Sequence, residues 1–161
     1  MLLWFAGMSF LLVWQVFRDA AIDYRLVVAG ALLPDVVDAP FGGARVGHTL
    51  LLGAVLLTAV MLATRRRRAA RRRALAVPIG VLAHLVLDGV WTDAELFWWP
   101  FLGGRLDRTP LPSLDRPAVV IAAMELAGAA AAWWCVRRFR LTEPDRRRAF
   151  LRTGRLGRDL V

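Results

Sequence analysis

"VGHTLLLGAVLLTAVMLAT", residues 46–64, carries a single imidazole, His48, and no acid or arginine. "PAVVIAAMELAGAAAAWWCV", residues 117–136, carries a single acid, Glu125. A helix crosses the hydrocarbon of a bilayer with about 20 apolar residues, in a range of about 17 to 25. Both runs have that length. Outward from them, residues 2–17 and 74–91 are also apolar. The expected fold is therefore all-α: an integral membrane helical bundle of about four transmembrane helices. A further piece, "LVVAGALLP" at residues 26–34, is too short to cross alone. It reads as a re-entrant or short helix, or as a fifth span if the helix extends from Ala20 to Asp38.

Charge orients these segments. The chain has 161 residues, 58% of them hydrophobic, a net charge of +9, and arginine as its only basic side chain apart from histidine. The arginines lie between and after the apolar runs, which points to membrane topology and anionic headgroups rather than to nucleic acid. Residues 65–73, "RRRRAARRR", contain no acid and belong in the cytoplasm by the positive-inside rule. The arginine-rich stretch after Val136 belongs there too, so both termini of a four-span chain are cytoplasmic. Arg18, Arg25, Arg45, Arg105, Arg108 and Arg116 share their connections with most of the acids and are assigned to the outer side. The chain divides into a transmembrane domain, 1–140, and a basic cytoplasmic tail, 141–161, expected to touch anionic lipid. The N-terminus lacks the basic region of a secretory signal and reads as a retained first helix. The lone Cys135 excludes an intrachain disulfide and a cysteine-based zinc site.

With this topology the ionisable residues converge on the outer face. In "HLVLDGVWTD", residues 84–93, His84 and Asp88 are four apart and share a helical face. Asp35 and Asp38 share one if their segment is helical. His48 adds a second imidazole at the outer end of its run. Ionisable groups in hydrocarbon are costly, so they ask for a reason. Two histidines and three carboxylates form a nitrogen-and-oxygen ligand set without sulfur, suited to a divalent ion: zinc, manganese or iron, or magnesium where carboxylates dominate. Each residue also has a plainer role. Asp35 after Pro34 fits a turn or cap, His48 a headgroup contact, and His84 with Asp88 an intrahelical hydrogen bond. Glu125, deep in its run, reads as a ligand, a general base or a partner that orients a histidine. Glu125 and Asp38 are the candidate catalytic carboxylates. The aromatic "DAELFWWPF", residues 93–101, reads as an interfacial belt.

"GALLPDVVD", "GARVGHTLL", "HLVLDGVWTD" and "FWWPF" occur in an order and spacing similar to the bacterial membrane-bound metal-dependent hydrolases, the YdjM-like inner-membrane proteins. The resemblance runs from about Leu26 to Gly103 and is closest to a short actinobacterial-type branch; the all-arginine usage fits a GC-rich genome. It implies a multi-span helical protein of the cytoplasmic membrane with a divalent-metal site at Asp35, Asp38, His48, His84 and Asp88. Here Ala44 and Gly47-His48-Thr49 stand where many members have further histidine, and the N-terminal histidine of many members is missing. The expected activity is hydrolysis at the outer ends of the helices, on a lipid or lipid-linked ester or phosphoester. The alternative is a non-enzymatic transporter or assembly factor whose polar cluster is structural or a cation or proton site. A transport path through so few spans would need an oligomer.

Overall fold

The computed structural model describes residues 1–103, 116–157 and 159; the orientation argument from Arg105 and Arg108 lies outside the described residues. Its regular elements are helical, as expected of an all-α chain. They are α1 (Leu2–Phe17), α2 (Tyr24–Asp38), α3 (Leu50–Ala63), α4 (Arg68–Ala74), α5 (Ala76–Asp88), α6 (Ala94–Phe97), α7 (Ala118–Arg138) and α8 (Pro144–Thr153).

Five of these, α1, α2, α3, α5 and α7, form an up-and-down bundle. Its centre is the pair α2 and α5, with α1 against both, α7 on α1, and α3 on α5. The central pair meets backbone to backbone: a Cβ on Gly30 would strike the Val77 carbonyl, and one on Gly80 the Val27 carbonyl. Only glycine permits that approach.

The segment expected to be short or re-entrant is thus a full bundle helix of 15 residues that starts at Tyr24. This changes the chain's direction. α1 begins beside Glu125 and His84 and ends at Arg18. Arg18 and Arg25 therefore lie at the same end as the residue 65–73 loop, opposite to their expected side. Arg72 pairs with Asp19, and Arg73 with Asp23. The two termini of the bundle lie at opposite ends.

Among the described residues one helix, Ala118–Arg138, is long and apolar enough to cross a membrane by length and composition. Two of the sequence runs, 46–64 and 74–91, are longer than the helices they become. The first four residues of the 46–64 run leave the helix for a 3-10 turn at Val46–His48 and the cap Thr49, whose hydroxyl accepts from the Leu52 N–H. α5 stops at Asp88 because Gly89 takes the left-handed conformation, φ 75°. At 1.5 Å per residue, α1, α2, α3 and α5 span about 20 to 24 Å.

The tail packs on the bundle and continues its core. Phe150 lies against Phe10, Leu156 is buried, and the Leu156 N–H donates to the Ala20 carbonyl. The Tyr24 N–H donates to the Gly154 carbonyl, and Arg25 to the Leu151 carbonyl. The expected boundary at residue 140 therefore separates no two packing units.

Candidate metal centre

Each sequence-selected residue can be followed from its element to its side chain. α2 brings Asp35 and Asp38 to the end of the bundle opposite the residue 65–73 loop. Pro34 supplies no N–H to this turn of α2, and the helix continues through it to Asp38. In the same stretch the Ala31 carbonyl accepts a hydrogen bond from His84 Nδ1 at 2.7 Å. His84 comes from α5, and its ring stacks on Phe5 of α1 with centroids 3.9 Å apart. The 3-10 turn delivers His48, whose Nδ1 lies 2.8 Å from Asp38 Oδ2. Gly47 is required beside it, because a Cβ there would press on the Pro34 carbonyl at 2.6 Å and on the Asp38 carboxylate at 2.8 Å.

Asp38 is fully buried. It accepts from His48 Nδ1, from the Arg45 N–H at 2.7 Å and from the Gly47 N–H at 3.0 Å. It orients a histidine, as a carboxylate behind a metal-bound imidazole does. With Nδ1 of each histidine committed as a donor, the Nε2 atoms carry the lone pairs. Those two Nε2 atoms face one another at 3.3 Å.

Around them stand the remaining carboxylates. Asp35 Oδ1 is 3.5 Å from His48 Nε2 and 3.8 Å from His84 Nε2. Asp35, His48 and His84 each offer a ligand atom, all within 4.8 Å of one another, and could hold a metal ion. Asp88 Oδ2 lies 3.8 Å from His48 Nε2. Asp35 Oδ1 and both carboxylate oxygens of Asp88 are buried without a hydrogen-bond partner. Buried carboxylate oxygens left so are expensive, and a cation in their midst removes the cost. The donor set fits a divalent ion: two nitrogen ligands with bonds of about 2.0 to 2.1 Å at a tetrahedral angle lie about 3.3 to 3.4 Å apart. Asp35, with 27% of its side chain exposed, is the cluster's way out; His48, His84, Asp38 and Asp88 are closed off.

Glu125 is engaged elsewhere. Its Oε2 accepts the Leu3 N–H at 2.9 Å, and its Oε1 lies 3.9 Å from the Met1 amino group. It ties α7 to the first turn of α1, an end of a helix where N–H groups lack partners. Sequence reasoning missed Arg116 as a site residue. Its Nη2 donates to the Asp88 carbonyl at 2.7 Å and lies 3.9 Å from Asp88 Oδ1. The sequence offered no signal for it beyond one arginine before Pro117. No family model, curated protein or solved structure matches this chain.

At the opposite end another buried acid has a different role. Asp23 is 1% exposed and holds Arg25 through both carboxylate oxygens, at 3.1 and 2.9 Å, and Arg73 at 3.1 Å. Burial works against its charge; the hydrogen bonds and charge of Arg25 and Arg73 outweigh it and hold its pKa below the ordinary value. That pattern marks an ion-pair network that fastens connections together.

Proposed function

We propose that this chain is a multi-pass membrane protein whose outer-end cluster binds one divalent metal ion and uses it for hydrolysis. The observation that carries the reading is the pair of imidazole lone pairs 3.3 Å apart, ringed by carboxylate oxygens without partners. A single proton between the two Nε2 atoms would satisfy the nitrogens and leave both Asp88 oxygens without a hydrogen bond. A divalent ion satisfies both. Zinc or manganese suits the mixed imidazole and carboxylate set.

The membrane reading rests on what the bundle leaves uncovered. Gly53 is the one buried residue of α3, and Leu62, Val119, Leu126 and Trp133 are each more than 60% exposed. Lipid is the solvent that tolerates such a surface. All five bundle helices cross, the shorter ones in a bilayer that thins to meet them. The arginine end is cytoplasmic and the cluster faces outward.

A bound divalent ion lowers the pKa of water and polarises a scissile bond. The chain supplies the rest. Asp38 and the Ala31 carbonyl fix the two imidazoles, and Phe5 covers one of them. Asp35 alone reaches solvent, so it is the carboxylate that meets a substrate and receives a proton at the cluster's edge. The transport alternative has less support, since among the described residues the buried side chains behind the cluster are mostly apolar, among them Phe10, Val27 and Val81, with Ser9 the polar exception on α1.

The test is elemental analysis of detergent-purified protein followed by hydrolase assays on ester and phosphoester substrates. One bound metal per chain, lost in Asp88→Asn together with hydrolysis, is the expected result. A metal-free wild type that regains no metal on incubation with zinc or manganese refutes the reading.

A further inference from the structure

Arg116 and the aromatic segment are the two features beside the cluster that metal ligation leaves unused. Two ligand carboxylates neutralise a divalent ion, so the ligand shell alone has no net attraction for an anion. Among the described residues Arg116 is the one arginine within 4 Å of a ligand carboxylate. It does not cap that carboxylate: Asp88 Oδ1 stays without a hydrogen bond while Arg116 Nη2 donates to the Asp88 backbone carbonyl. Among the described residues its Nη1 meets only the Met124 sulfur, at 3.3 Å, a weak acceptor. The guanidinium is thus pinned at the cluster with donors to spare and 26% of its side chain exposed. A planar fork of donors held this way matches the oxygens of a phosphate.

Directly after His48 in the chain, at the cluster end of α3, the structure has an apolar slot. The first turn of α3, Leu50, Leu51 and Ala54, forms one wall, and Phe97, Trp98 and Phe101 of the aromatic segment form the other. Its volume is about 200 Å³, and it begins two residues after His48. Trp98 and Phe101 are 46% and 81% exposed, so the slot opens to the surroundings of the bundle.

We propose that the centre takes the phosphoester of a membrane lipid, with Arg116 reading the phosphate and the slot beside His48 holding the first part of the apolar chain. The proposal rests on the metal reading above and names its substrate class. In the reaction the oxygen of water bonds to phosphorus, the P–O bond to the lipid alcohol breaks, and a water proton ends on the leaving alcohol oxygen.

The test uses the full chain in detergent micelles, loaded with zinc, and measures binding of hexadecyl phosphate, ethyl phosphate and inorganic phosphate by calorimetry. Arg116→Gln should weaken hexadecyl and ethyl phosphate alike, by about tenfold or more, at unchanged zinc content. Trp98→Ala should weaken hexadecyl phosphate several-fold and leave ethyl phosphate unchanged. Wild-type affinities in Arg116→Gln, or loss of its zinc, overturn the phosphate role and leave the metal reading intact. Equal binding of inorganic and hexadecyl phosphate by the wild type, or a Trp98→Ala protein with full hexadecyl phosphate affinity, overturns the lipid source. Absence of metal from the wild type overturns both readings.

Discussion

His48 Nε2 and His84 Nε2 lie 3.3 Å apart, each on a ring whose Nδ1 is already hydrogen-bonded, to Asp38 and to the Ala31 carbonyl. The two rings meet edge to face at 72°. Neither nitrogen can relieve the other without a shared cation, and the surrounding carboxylates give that cation its counter-charge.

Asp38 acts through His48. Asp38→Asn should therefore weaken metal binding by about 10- to 100-fold without abolishing it. Competition against a chelator of known affinity measures this. Asp93, whose side chain accepts the Leu96 N–H at the start of α6, is the control: Asp93→Asn should bind metal as the wild type does. Equal losses in the two variants would contradict the assignment.

Asp88 should show opposite effects with and without metal. Its oxygens are buried and unpartnered. Asp88→Asn should remove most bound metal. In metal-free protein the same change removes a buried charge that accepts no hydrogen bond and has its arginine countercharge, Arg116, only at 3.9 Å; it should raise thermal stability, by an amount on the order of 1 kcal/mol or more. Melting curves of chelator-treated wild type and variant decide; a lower melting temperature for the metal-free variant would count against an orphaned carboxylate.

Glu125 should be dispensable for the metal. Glu125→Gln keeps an acceptor for the Leu3 N–H and should retain full metal content. Glu125→Ala leaves that N–H without its partner and should cost about 0.5 to 1.5 kcal/mol of stability. Loss of metal in Glu125→Gln would return it to the ligand shell.

The network at the other end makes stability depend on pH. The folded-state pKa of Asp23 is depressed. Its contribution is therefore complete above its unfolded value, near 3.8, and is lost as pH falls through the lower folded value. Asp23→Asn should cost about 1 to 3 kcal/mol at neutral pH. The gap between variant and wild type should close below about pH 4. A gap that persists to pH 2 would mean that Asp23 acts by packing alone.

The direction of α1 fixes a topological expectation. A tag before Met1 and a cysteine at Ala94 should be reached from outside the cell, and a cysteine at Ala149 only after permeabilisation, in a Cys135→Ser background. A cytoplasmic tag at Met1 would restore the four-span arrangement.

Much of the cluster was legible because topology needs only charge and spacing. Asp35, Asp38, His48, His84 and Asp88 occupy ends of apolar runs that arginines orient. Their individual roles were not legible, since spacing places a residue on a face without saying which atom is turned inward. Asp38 and Glu125 share a residue class and differ only in what lies opposite. α2 was hard to read because a buried helix with Pro34 and two acids in its last turns looks like a hydrophobic stub ending in a turn. Gly30 and Ala31 serve contact with α5 rather than lipid, so hydropathy understates it. The docked tail was hidden for a similar reason: Phe150 and Leu156 are isolated among arginines, and their partners, Phe10 and Ala20, are far away in sequence.

The backbone contact between Gly30 and Gly80 governs how the cluster can open. α2 and α5 carry Asp35, Asp38, His84 and Asp88 between them, and where they touch, main chain meets main chain with no side chain to slide past. That spacing is one only glycine allows, so the four side chains are held at a distance set by the backbone itself. Gly80→Ala would press a methyl on the Val27 carbonyl, pry the two helices apart and carry Asp35 and Asp38 away from His84 and Asp88.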